Sequence, residues 1–113
     1  MKIYLLDKKL KKASVSEKML ISEYGQIRGS KISKRLEQLK VATSLEEVRN
    51  LPGNFHELIE NRKGQWACDL DHPYRLIFKP EEKPIPINEH GQYIWSEIKS
   101  IEILEIVNYH KEK

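Results

Sequence analysis

The sequence predicts an α+β domain, with an N-terminal strand and two to three helices packed on a small, mainly antiparallel sheet. Three observations carry that expectation. The first half has helical spacing, with Ile32, Leu36 and Leu39 on one face and Lys31, Lys34, Arg35 and Lys40 mostly off it. Beyond Pro52-Gly53 the texture becomes extended, and Trp66, Cys68 and Leu70 alternate with Gln65, Ala67 and Asp69. Short loops around Gly64 and Pro73 separate the extended runs, which implies an antiparallel meander. Strand, then helices, then strands is the order of an α+β layer pair.

Taken in order, Met1 to Leu6 is the opening strand, since Ile3 to Leu6 is apolar and ends at Asp7. Asp7 can cap a short basic helix to about Lys12, and Ser14 with Glu17 has capping-box spacing for a helix to Tyr24. Gly25 and Gly29 are expected as breaks, with the next helix running from Ser30. Ser44 and Glu47 repeat the capping spacing before Pro52-Gly53. Phe55 to Ile59 is a candidate strand, Asn61 to Gly64 a turn, and Asp71-His72-Pro73 another. Tyr74 to Lys79 then alternates, with Leu76 and Phe78 opposite Arg75, Ile77 and Lys79. Pro80 to Gly91 has three prolines and little that packs, so a surface excursion is expected. Tyr93 to Tyr109 returns as an extended, β-rich stretch.

At 113 residues the chain has the size of a single domain, residues 1–113. Hydrophobic residues are 39% and charged residues 33%, a globular balance with a charged surface. No apolar run is long enough for a bilayer and no signal-peptide pattern follows Met1, so a cytoplasmic protein without membrane attachment is expected. The net charge is only +3, but Lys8, Lys9, Lys11, Lys12 and Lys18 crowd the start, while Glu97, Glu102 and Glu105 gather late. That asymmetry is compatible with a polyanion partner, but on charge alone the better reading is lysines and arginines that simply solvate two helices. Cys68 is the single cysteine and alternates with Trp66 and Leu70, as a buried structural thiol would. Paired Cys or His spacing, a carboxylate-rich loop and a phosphate-binding glycine pattern are all missing from the sequence, so no metal and no cofactor is expected.

The chemistry-bearing groups fall late in the chain. Arg75 stands on a strand, and Tyr109-His110 closes the last one. Ribonuclease chemistry without a metal needs a base for the 2′-hydroxyl, cations for the phosphoryl oxygens and an acid for the leaving 5′-oxygen. Arg75 can clamp a phosphate through its planar guanidinium, Tyr109 and His110 can share the proton transfers, and His56 can assist. Arg62, Lys63, Lys79, Lys31 and Arg35 are the candidate RNA-binding cations. The duller readings are a solvated arginine, a fraying strand end and an edge histidine.

These residues resemble the HigB branch of the RelE superfamily, the toxins of bacterial toxin–antitoxin pairs. The resemblance runs from about Ser30 to His110. It is sharpest at the Leu36-Glu37-Gln38-Leu39 helix with Ala42 and Leu45, and at His56-Glu57-Leu58. It is equally sharp at Asn61-Arg62-Lys63-Gly64-Gln65-Trp66 leading into Tyr74-Arg75-Leu76-Ile77-Phe78, and at Ile106-Val107-Asn108-Tyr109-His110. It implies a RelE-like fold and a ribosome-dependent endoribonuclease that cuts mRNA and so blocks translation. It also implies a HigA-type helix-turn-helix antitoxin as partner, with DNA contacted only through that antitoxin. By position, Arg75 matches the family's phosphate-clamping arginine, His56 an upstream histidine, and Tyr109 and His110 the terminal Tyr-His. Ile59 stands where the family often has a lysine, beside Glu60, and Asn108 stands where it has an acid. Those two departures leave a second reading open: a module on the same fold that binds antitoxin or ribosome without cutting RNA.

Overall fold

The chain begins as the sequence suggests. The Lys2–Leu5 run forms β1 around Ile3, Tyr4 and Leu5, and Asp7 then caps α1 (Lys8–Ala13) by accepting a 2.9 Å hydrogen bond from the Leu10 N–H. In this computed structural model, which describes residues 1–109, α2 (Glu17–Tyr24), α3 (Gln26–Val41) and α4 (Leu45–Val48) follow. The second half holds β2 (His56–Glu57), β3 (Trp66–Asp69), β4 (Tyr74–Pro80) and β5 (Ser100–Asn108). Single 3-10 turns sit at Glu60–Arg62 and Trp95–Glu97.

The five strands lie in the order β1-β5-β4-β3-β2. β1 runs parallel to β5, and every other neighbour pair is antiparallel. The helices α1 to α4 contribute to one face of this sheet. Leu10, Leu20, Ile32, Leu39, Leu45 and Val48 meet Trp66, Cys68, Leu76, Phe78, Ile101 and Ile103 in a single buried core. Trp66 stacks on Phe78 at 6.2 Å between ring centroids and meets Trp95 edge-on at 5.3 Å, which ties the 81–99 excursion to the sheet. No helix of the described residues packs on the opposite face. There Ala67, Ile77 and Val107 form a small second cluster, covered by Leu58 and Leu104.

A bulge shapes this open face. Ile77 pairs with Glu105 while the next residue, Phe78, pairs with Ile103, so Leu104 is extra. The extra residue shifts the alternation of β5 by one. Ile101 and Ile103 therefore point into the helical core, whereas Leu104 and Val107 join the open face.

Several expectations are corrected. The cap of α2 is Ser16, which accepts from the Met19 N–H at 3.1 Å, and Ser14 instead ends α1. Ser44 makes no side-chain cap, and Glu47 bonds Thr43. Gly25, at φ +94°, does separate α2 from α3, but Gly29 lies inside α3. It is buried because an added Cβ would stand 2.5 Å from the Ile21 backbone of α2, so only glycine lets the two helices approach this closely. Only His56 and Glu57 of the 55–59 run pair as a strand, and β5 starts at Ser100 rather than near Tyr93.

Arg35, expected among the surface cations, is buried and only 5% exposed. Its Nε donates to the Asp69 carbonyl at 2.7 Å, and Nη1 donates to Gln38 Oε1 at 3.0 Å and to the Pro52 carbonyl at 3.5 Å. The guanidinium packs so closely under Gly53 that a Cβ there would lie 2.8 Å from Cζ. Heptad-like spacing could not reveal this, because the groups that receive Arg35 come from the distant 52–53 turn and from β3.

Candidate active site on the open sheet face

The candidate site grows from the register of three strands. Arg75 on β4 lies opposite Asp69 on β3 and opposite Val107 on β5. The chain continues from β5 into Tyr109, whose N–H donates to the Pro73 carbonyl at 2.8 Å, extending the β4–β5 pairing by one step. β5 ends at Asn108 and the backbone is already helical at Tyr109, so strand alternation does not place its ring; Tyr109 lines the same depression as Val107 and Arg75. The Arg75 guanidinium carbon sits 3.8 Å from the centre of the Tyr109 ring. On the other side, Arg75 Nε is 3.9 Å from Asp69 Oδ1.

A depression of about 370 Å³ opens beside this pair, lined by Arg62, Gln65, Arg75, Ile77, Val107 and Tyr109 among others. Arg62 enters from the 3-10 turn, donating to Gln65 Oε1 at 2.8 Å and pairing with Glu105 at 3.3 Å. Glu60 opens that turn with φ +57°, an uncommon conformation for a side-chain-bearing residue. It turns the chain so that Asn61 and Arg62 rim the depression beside Leu58 and Ile59. Ile59 is 74% exposed there, an apolar surface at the edge of a polar site.

The expected site residues divide clearly. Arg75, Tyr109 and Arg62 come together. His56 pairs with Ala67, an open-face residue, and so shares that face one strand beyond Arg75's own neighbour; its Nδ1 lies 2.7 Å from the Asn54 carbonyl. Lys79 is exposed and opposes Glu102 at 3.8 Å, away from the depression. Lys63 is exposed just past the 3-10 turn. Lys31 belongs to α3 and lines a separate surface hollow with Glu17 and Ile27, in the helical layer behind the sheet. Arg35 serves the core, as described above. His110 lies outside the described residues.

Electrostatically the open face is matched rather than uniformly basic. Arg75 faces Asp69, Arg62 faces Glu105 and Lys79 faces Glu102. Such partly exposed pairs contribute little to stability, about 0–1 kcal/mol each, but they lower the positive potential an incoming anion would feel. Behind the hairpin turn, Arg28 forms a two-pronged bond to Asp71 at 3.0 and 3.1 Å and lies 3.5 Å over the Tyr74 ring. The Asp71 hydrogen bond raises the Arg28 pKa further, so this clamp stays charged. Among the described residues no group of His, Cys, Asp or Glu is arranged to hold a metal ion.

Asp69 is the site neighbour that the sequence reading passed over. Its signal was present: alternation puts it on the face of Arg75, and the short Leu70–Pro73 connection brings it opposite Arg75 once the hairpin is counted. No protein-family model matches the chain, and comparison with curated proteins yields no significant match. No helix among the described residues is long and apolar enough to cross a membrane.

Proposed function

We propose that this chain is a metal-independent endoribonuclease of the RelE/HigB toxin type, acting on mRNA at the ribosome through its open sheet face. The observation that carries the reading is Arg75, whose guanidinium lies 3.8 Å over Tyr109 at the edge of an open depression. A guanidinium stacked on a ring loses little freedom when it forks onto two phosphoryl oxygens, which favours charge developing there in the transition state. Tyr109, in contact with Arg75, is the candidate for proton transfer, and His56 shares the face.

In the reaction a base withdraws the 2′-hydroxyl proton and the 2′-oxygen attacks phosphorus. Arg75 takes the charge on the non-bridging oxygens. The bond to the 5′-oxygen breaks as that oxygen gains a proton, leaving a 2′,3′-cyclic phosphate and a 5′-hydroxyl. The resemblance adds a helix-turn-helix antitoxin as the protein partner, encoded beside the toxin.

Purified protein added to mRNA-programmed ribosomes tests the reading. Fragments with new 5′-hydroxyl ends are expected, and Arg75→Ala should lower the rate by about 10²–10³, the usual cost of one such donor. Intact RNA, or cleavage indifferent to Arg75→Ala, refutes it. The acid matched to each open-face cation favours a second reading, a binder that occupies the ribosome or antitoxin without cutting. That protein would protect RNA on the ribosome instead of fragmenting it.

A further inference from the structure

The backbone around Asp69 is held more firmly than its place on a short strand requires. Leu70 N–H donates to the Tyr74 carbonyl at 3.0 Å, so the adjacent Asp69–Arg75 pair is one that exchanges no backbone bonds. Side chains approach most closely in pairs of that type. The backbone groups of Asp69 turn instead toward the 53–54 turn and α3. Its N–H donates to the Gly53 carbonyl at 2.8 Å, and its carbonyl accepts from buried Arg35 Nε at 2.7 Å. The carboxylate is steadied as well, since Asn54 Nδ2 lies 3.4 Å from the same Oδ1 that faces Arg75. Asn54 reaches it from a left-handed backbone, φ +56°.

We infer that Asp69 is a positioning residue for Arg75, anchored from behind by Arg35 and from the side by Asn54. Arg75 lies between two walls, Asp69 Oδ1 at 3.9 Å and the Tyr109 ring at 3.8 Å. Without the carboxylate, only the stacking contact would orient the guanidinium, and it could slide across the ring. The cost would fall on the transition state, where a displacement of about 1 Å matters most. This rests on the ribonuclease reading for its catalytic consequence, but the confinement of Arg75 is a property of the protein alone.

The experiment compares Asp69→Ala, Asp69→Asn and Arg75→Ala with the wild-type chain. Cleavage is followed on mRNA-programmed ribosomes at varied ribosome concentration, and the Arg75 Nε–H resonance is followed by NMR. Asp69→Ala should lower the maximal cleavage rate roughly tenfold, with the half-saturating concentration within about twofold, because orientation rather than affinity is lost. Asp69→Asn keeps an oxygen facing Arg75 and should recover most of the rate. The Nε–H resonance should move and broaden in Asp69→Ala and stay near its wild-type position in Asp69→Asn. An unmoved resonance in Asp69→Ala overturns the inference whatever the cleavage shows. So does tighter ribosome binding with undiminished rate in both Asp69 variants, which would make Asp69 only a counter-charge. Indifference of cleavage to Arg75→Ala sinks the ribonuclease reading separately, leaving the resonance to decide the confinement.

Discussion

Gly29→Ala should destabilise this protein, although the same change in most helices stabilises it. Alanine is favoured over glycine in a helix interior by about 1 kcal/mol. At position 29 the new Cβ would stand 2.5 Å from Ile21 Cα, Ile21 N and Leu20 O. Carbon contacts normally settle near 3.5–4.0 Å, so α2 and α3 would have to separate by about 1 Å. All three atoms are backbone and cannot rotate aside, and separation would also loosen Leu20 and Ile32, both buried in the core. Overpacking of this kind costs about 1–3 kcal/mol, and with an unyielding neighbour the upper end applies. The expected net loss is about 2 kcal/mol, or roughly 8 °C in Tm for a domain of this size. Urea titration followed through Trp66 and Trp95 fluorescence measures it, comparing midpoints at equal slope. Gly25→Ala is the control: position 25 has φ +94° and ψ 162°, a region almost reserved for glycine, but an added Cβ meets no atom within 4 Å, so it isolates conformational strain and should lose about 1–3 kcal/mol. Gly29→Ala as stable as wild type, or more so, would refute the close-packing argument.

Other substitutions test the site and its supports. Arg75→Lys keeps charge but loses the planar fork, so cleavage should fall at least tenfold on the scale of a lost donor, with unfolding midpoints unchanged. Equal activity would remove the case for bidentate phosphate contact. Arg35→Met fills similar volume but leaves the Asp69 carbonyl without its buried donor, while the Pro52 carbonyl keeps Gln38 Nε2 at 2.8 Å. Chemical denaturation should show a loss of about 2 kcal/mol, and a loss below about 1 kcal/mol would demote Arg35 to a space-filler. Burial pushes the Cys68 thiol far above its ordinary range. Ellman's reagent should therefore label it only as the chain unfolds, and rapid labelling of native protein would contradict its burial. The sign of the linked pH effect follows: the native thiol keeps its proton while the unfolded one gives it up near pH 8.5. Stability is unaffected below that pH and should fall above it, by up to about 1.4 kcal/mol per pH unit, measured by urea midpoints between pH 8 and 10.

The amino-acid sequence by itself determined what depends on local period and local stereochemistry. The α+β class, the cap at Asp7, the alternation of β3 and β4 and the burial of Trp66 and Cys68 all follow from side-chain spacing against a fixed backbone repeat. The same alternation placed Arg75 opposite Leu76 and Phe78, on the face that no described helix covers. Tertiary structure decided the rest, because it depends on which distant groups arrive. Arg35 reads as one more basic residue on a helix until Gly53, Pro52 and Asp69 close around it. Gly29 reads as a helix break until Ile21 comes too near for a Cβ. The extra residue at Leu104 shifts the phase of β5 and with it the face that Val107 shares with Arg75. The Arg75–Tyr109 contact joins β4 to the residue just past β5, and these strands are brought together only by long-range pairing, whose register is set by core packing on the opposite face rather than by any local signal.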